Sequence, residues 1–246
     1  MPKSGGLTST GFMVFAVLVL GTTSSAQMRP PVVGELAKTY GVDSFGQVEA
    51  VRYTFNLRLT GSELSRSWVW EPKTGRISYD GKGKDGKPVK VTFVQSELNG
   101  QSPVVKERID WFFVNDNYWM FLPFHVYWDS PGADVKDKGL QKLPLGKGSA
   151  RLIVVQYSRG GGYTPGDTWD LYVGPDNRIE EMVYHRGDPK SPVPGIVKVS
   201  WAGYKKAGPL LFSTEHRGSA DGKPVRLSFT NVSVKLVGSG AWIDAR

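Results

Sequence analysis

Chemistry in this 246-residue chain would have to come from three histidines, a few aspartates and one aromatic run. His125 lies inside Trp111–Trp128 (WFFVNDNYWMFLPFHVYW), with Asp110, Asp116 and Asp129 before, within and after that run. A carboxyl among apolar neighbours keeps its proton to higher pH, which suits a general acid. Asp116 or Asp129 near His125 would form such a pair. The same residues serve equally as helix caps and as the polar edge of an apolar plug. His216 beside Glu215 has the chemistry of a ligand pair, but His125, His185 and His216 are isolated, with no HExxH spacing. His216 therefore reads as the end of a strand facing water. Ser158–Tyr163 (SRGGGY) lacks the lysine and hydroxyl that make a phosphate loop, and reads as a rim loop. There is no GxSxG elbow. With no cysteine, thiol nucleophiles, disulfides and cysteine metal sites are all excluded. The reading assigns no catalytic residue, no metal and no cofactor.

Nine of the eighteen residues in Trp111–Trp128 are Phe, Tyr or Trp, against 12% in the whole chain. Each such side chain buries roughly 150–250 Å², more apolar surface than one amphipathic element needs. The run either plugs a core or walls a cavity that takes an apolar ligand.

Around this run, the other elements set its place. Lys3, the apolar stretch Gly11–Leu20 and the small residues ending at Ala26 have the anatomy of an export signal cleaved after Ala26. The apolar stretch is short of the roughly 20 residues of a membrane span, so no stable membrane insertion is expected. Without a cysteine at the cleavage site there is no lipid anchor, and the expectation is a soluble exported protein, periplasmic where an outer membrane exists. The net charge of +8 falls to +7 without Lys3. Its lysines are spread over turns, as a solubilising surface rather than a nucleic-acid site.

Residues 27–33 read as a disordered lead-in, and Gly34–Tyr40 as a short helix ended by Gly41. Val48–Leu59 alternates, with Val51, Tyr53, Phe55 and Leu57 on one face and Arg52, Thr54, Asn56 and Arg58 on the other. Similar stretches follow at 65–71, 76–79, 89–94, 150–157, 168–173, 178–185, 196–201, 211–216 and 225–234. Asp85-Gly86-Lys87-Pro88-Val89 recurs as Asp221-Gly222-Lys223-Pro224-Val225, a repeated hairpin signal. Ser102 and Pro103 open a helix, and a second, Asn117–Leu122, is expected to stop at Pro123. About ten strands at hairpin spacing, interrupted by an aromatic helical pair, predict a mainly β fold. It is a curved antiparallel sheet forming an incomplete β-barrel, with short helices covering its concave face.

That order, together with Thr168–Asp176 (TWDLYVGPD) and the segment Tyr204–Arg226, resembles the LolA/LolB-like superfamily of periplasmic lipoprotein carriers over Leu36 to the C-terminus. The resemblance implies one domain over residues 34–246, whose concave apolar face holds acyl chains beneath a helical lid. The arginine that holds the carriers' lid closed finds no match in this sequence. The expected partner is a lipid or acyl-chain ligand, or a lipoprotein, and not a nucleic acid. Trp68, Trp70, Trp119, Phe121 and Trp128 are the expected lining. Two other readings stay open: an enzyme of unknown reaction in the same cavity, and a cell-envelope scaffold that binds protein or glycan through exposed aromatics.

Overall fold

The computed structural model describes residues 30–83, 85–159, 165–190 and 193–246. The export signal read over residues 1–26, and residues 160–164 of the glycine-rich loop, lie outside the described residues.

Helix α1 (Pro31–Tyr40) starts at Pro31, a residue whose fixed φ suits the first helical turn. It therefore takes in the last residues of the stretch read as a lead-in, with Val32 and Val33 buried. Gly41 ends it at φ 95°, where the Gly41 N–H donates to the carbonyls of Ala37 and Lys38.

Alternation builds the strands β1 (Val48–Leu59), β2 (Ser62–Glu71), β3 (Arg76–Lys82) and β4 (Pro88–Val94). After the helical insertion come β5 (Ala133–Lys142), β6 (Ser149–Tyr157), β7 (Thr168–Val173), β8 (Ile179–His185), β9 (Ile196–Ser200), β10 (Ala202–Ala207), β11 (Leu210–Ala220), β12 (Lys223–Leu236) and β13 (Trp242–Asp244). These 13 strands form one antiparallel sheet in the order β4-β3-β2-β1-β12-β11-β9-β8-β7-β6-β5, with β10 on β11 and β13 on β12. The end strands β4 and β5 do not pair, so the sheet curls without closing. Register shifts in β1 at Val48/Ala50 and Arg52/Thr54 add bends at the middle of the sheet.

Sequence patterning missed β5, β10 and β13. β5 (ADVKDKGLQK) carries almost no apolar alternation because it is an edge strand, where charge discourages pairing with another chain. The two DGKPV copies also differ. Asp221 and Gly222 form a two-residue turn between paired Ala220 and Lys223, with φ 47° and 79°, the mirror-image turn that matches strand twist. Gly86, at φ 77°, sits instead in a longer loop between paired Lys82 and Pro88.

The insertion is one bent helix rather than two short ones. Ser102 Oγ accepts from the Val105 N–H at 3.4 Å, a π-helical turn covers Val105–Ile109, and α2 runs Asp110–Asp129. Pro123 does not stop it. The ring removes one backbone N–H and crowds the preceding turn, so the helix kinks at Phe121 (φ −114°, ψ 20°) and continues. Met120, Phe121, Leu122 and Phe124 are all buried, because the helix is packed on every side at the bend. No helix among the described residues is long and apolar enough to cross a membrane.

Candidate functional site

α2 lies along the concave face of the sheet but fills only part of it. Against β2 and β3, and around Phe45 in the 3-10 turn between α1 and β1, the packing is dense. The Phe45 ring lies 5.9 Å from Trp70, 6.1 Å from Phe121, 5.4 Å from Phe124 and 4.8 Å from Trp128, the tilted and edge-on geometries that aromatic rings prefer. Trp68 is buried against Phe113 and Tyr79.

Toward the β1–β2 and β11–β12 hairpins the sheet and helix part, leaving a cavity of about 780 Å³. Its sheet wall includes Phe55, Leu57, Leu59 and Leu64, with Val225 and Leu227 of β12, Val197 and Val199 of β9, and Trp169 of β7. Its helical wall is Trp111, Phe112, Val114, Tyr118 and Trp119. Known ligand cavities run from about 300 to 1,000 Å³ and are mostly apolar with few polar groups. This one fits on both counts.

One polar group in that wall is Arg66, on the same face of β2 as Trp68 and Trp70. Its Nε and Nη2 donate to the two oxygens of Asp116 on α2 at 2.7 and 2.5 Å. Trp68 Nε1 donates to the same carboxylate at 2.9 Å, and Asn115 Nδ2 at 3.0 Å. Burial pushes the Asp116 carboxyl up, and the Arg66 charge with these hydrogen bonds opposes that shift. Four donors and no competing acceptor hold it as a carboxylate at neutral pH. The Arg66 guanidinium lies 4.9 Å from the Phe55 ring and 4.4 Å from that of Phe112.

A second polar chain runs along α2. Asn117 Oδ1 lies 2.8 Å from His125 Nε2, and His125 Nδ1 is 3.5 Å from Asp129. The Tyr118 hydroxyl donates to Asp129 at 2.7 Å, and its ring stacks on His125 at 3.8 Å. Burial would raise Asp129, but hydrogen bonding and charge from His125 and the hydrogen bond from Tyr118 hold it below the usual carboxylate range. These contacts bridge the kink at Phe121, so Asp129 and His125 brace the bend. Asp116, the other carboxylate weighed as a general acid, is taken by Arg66.

Of the five aromatics expected to line a cavity, Trp119 stands in its wall. Trp70, Phe121 and Trp128 pack together through Phe45, and Trp68 lies beneath the ion pair. Trp111, Phe112 and Trp169 are wall residues that sequence reasoning did not single out. The first two sit within the aromatic run, but nothing local marks which helix face meets the void. His216 does not face water. It is fully buried, 4.1 Å from the Trp201 ring and 5.9 Å from Phe229, and neither ring nitrogen makes a hydrogen bond. That burial pushes its pKa down to about 3. Among the described residues no cluster of three metal-ligating side chains occurs.

The convex face carries a larger hollow, about 1180 Å³, but it is more open and about half of its lining is polar. Its hydroxyls bond across strands, Thr54 to Ser67 at 2.9 Å and Ser78 to Thr92 at 2.8 Å. That is sheet-stabilising pairing, not a set of groups waiting for a ligand.

No family model matches the chain. No curated protein matches it either. Among solved structures, the chain is similar to a DUF1329 family protein from Desulfovibrio piger (11% identity, 86% of this chain and 95% of that one, TM-score 0.43). It is also similar to an outer membrane lipoprotein-sorting protein domain from Vibrio parahaemolyticus (8%, 86% and 92%, TM-score 0.45). A third is a LolA superfamily protein from Nitrosomonas europaea (6%, 82% and 93%, TM-score 0.44). At these identities the likeness brings no residue role or ligand with it.

Proposed function

We propose that this exported protein binds the acyl chain of a lipid or lipoprotein in the cavity between the sheet and α2, and carries it shielded from water. The observation that carries this reading is the apolar void of about 780 Å³ left beside an otherwise densely packed aromatic core. A void of that size lined by side chains that could close on it has a cost in lost packing. Burying a ligand's chain offsets it, at about 0.8 kcal/mol per methylene. Trp119 forms part of the binding wall, and Trp68, Trp70, Phe121 and Trp128 form the packed layer that keeps its helix in place. The mechanism needs no covalent step.

Native mass spectrometry of protein purified without detergent from its host tests this. The expected result is a retained mass of an acyl lipid, and saturable quenching of tryptophan emission when lysophospholipid is added to delipidated protein. Protein that carries no lipid and shows no saturable response would overturn the reading.

A further inference from the structure

The buried ion pair at the cavity wall is unevenly satisfied. Asp116 is saturated, accepting from Arg66 Nε and Nη2, Trp68 Nε1 and Asn115 Nδ2. Arg66 is not. A guanidinium has five N–H donors, and its Nη1 edge has no hydrogen-bond partner among the described residues. Arg66 is 8% exposed and borders the cavity. Phe55 and Phe112, whose rings pack against its guanidinium, border the cavity too. Trp169 Nε1, on β7 in the sheet wall, is a second buried donor with no partner. The two carboxylates that also line the cavity are bonded elsewhere, Asp167 accepting from the Tyr184 hydroxyl and the Gly187 N–H and Asp188 from the Lys190 N–H, so neither serves these two donors.

A ligand's carboxylate or ester carbonyl could supply the acceptor, and the charge state of the pair separates them. Arg66 and Asp116 together are neutral, and the other charged wall residues, Lys190 with Asp167 and Asp188, leave no surplus of positive charge, so an anion lodged beside Arg66 would add an uncompensated charge close to the Asp116 carboxylate. Burying an unpaired charge costs far more than burying a hydrogen-bonded carbonyl. We propose that Arg66 is the specificity-determining residue for the ligand, its Nη1 edge donating to the ester carbonyl oxygen of an acyl chain lodged in the cavity. This rests on the acyl-carrier reading and names which lipids satisfy it: acyl esters, in preference to ether lipids and free fatty acids.

A matched pair of probes isolates the carbonyl. 1-Palmitoyl-lysophosphatidylcholine and 1-O-hexadecyl-lysophosphatidylcholine share head and chain length and differ in the ester C=O. Palmitate is the third probe, and all are titrated into delipidated protein. The ester should bind about tenfold more tightly than the ether, as a hydrogen bond to a charged group implies, and palmitate should not exceed the ester. In the double variant Arg66→Met with Asp116→Leu, which removes both charges together, both lipids should bind within about twofold of each other, the ester having lost its charged donor. Equal affinity of ester and ether for the parent overturns the role of Arg66 while leaving the carrier reading intact. A preference that survives in the double variant overturns it as well, and palmitate binding tightest overturns the choice of ester over acid. Failure of every probe to bind saturably counts against the carrier reading itself. If the double variant does not fold, infrared spectra of the carbonyl-¹³C ester bound to the parent still decide. The carbonyl band should shift to the hydrogen-bonded frequency, and a band at the position seen in alkane solvent overturns the proposal.

Discussion

Arg66 and Asp116 join the sheet to its covering helix through a fork of two hydrogen bonds, with the carboxylate fully buried and the guanidinium nearly so. They lie 50 residues apart in the chain. Such a pair is worth little against a well-packed apolar replacement, yet removing one partner strands the other. Asp116→Ala or Arg66→Ala should therefore cost about 3–5 kcal/mol in urea unfolding. The double change Arg66→Met with Asp116→Leu should recover most of that loss. Full recovery is not expected, because Trp68 Nε1 then loses its acceptor, a loss of about 1–3 kcal/mol. A double variant as unstable as the worse single one would show that the pair is not what holds α2 to β2.

This pair also marks where the sequence stops being legible. The sheet was readable because each strand with water on one side alternates, and β1 was bounded correctly on that pattern alone. Edge strand β5 was hidden by its charges. The helix was misread at Pro123, since a proline within a helix either ends or bends it, and only tertiary packing decides which. The site was harder still. An arginine on the apolar face of SRSWVWE and an aspartate in the middle of the aromatic run are each out of place alone. That mismatch was the signal for a buried pair, although nothing local says they meet. The side of α2 that faces the void depends on where the sheet and helix diverge, which no local spacing records.

His216 supplies a pH prediction. Its pKa is about 3 in the folded protein against an ordinary 6.5, because the ring is buried among Trp201, Trp119 and Phe229 with no charged side chain among its ring contacts. The pKa is depressed, so between these values the unfolded chain binds the proton and the folded one does not. Stability is then fully present above pH 6.5 and falls as the pH drops toward 3, by about 1.4 kcal/mol per unit. Denaturant midpoints measured across this window should show that slope, and His216→Phe should flatten it. Parent and variant with the same acid slope would mean that His216 does not control it.

The hairpin glycines test the local backbone. Gly86 and Gly222 both have positive φ, at 77° and 79°, and neither has an atom within 4 Å of where a Cβ would lie. Substitution is therefore strained through the backbone alone, by about 1–2 kcal/mol per residue. Gly222→Val should lower the melting temperature more than Gly86→Val, because the two-residue turn sets the register of β11 and β12 while the longer loop can adjust. Equal, negligible shifts in both would refute this.

Filling the void should separate binding from folding. Leu57 lies in the sheet wall of the cavity and is only partly buried, so Leu57→Trp projects a larger ring into free space. Stability should stay within about 1.5 kcal/mol of the parent, since the added volume enters a hole rather than a packed core. Lysophospholipid affinity should fall by at least about tenfold, since the ring displaces buried methylenes at about 0.8 kcal/mol each. Unchanged affinity in a stable variant would place the lipid elsewhere.

Eight tryptophans give the cavity its own reporters. Trp111, Trp119 and Trp169 border the void, whereas Trp68 is sealed beneath the ion pair and Trp70 and Trp128 pack around Phe45. Trp242 stacks under Arg52 on the far side of the sheet. In protein labelled with 5-fluorotryptophan, a bound acyl chain should move the ¹⁹F resonances of the three wall residues and leave Trp68 and Trp242 unmoved. Assignment by single Trp→Phe replacement makes the result residue-specific. A ligand in the convex hollow would reverse the pattern, perturbing Trp68, which borders that hollow, and Trp242, which stacks on Arg52 of its wall, and shifts spread over all eight would indicate general loosening rather than an occupied site. Movement confined to Trp111, Trp119 and Trp169 would locate the acyl chain between α2 and the sheet, beside the unpaired edge of Arg66.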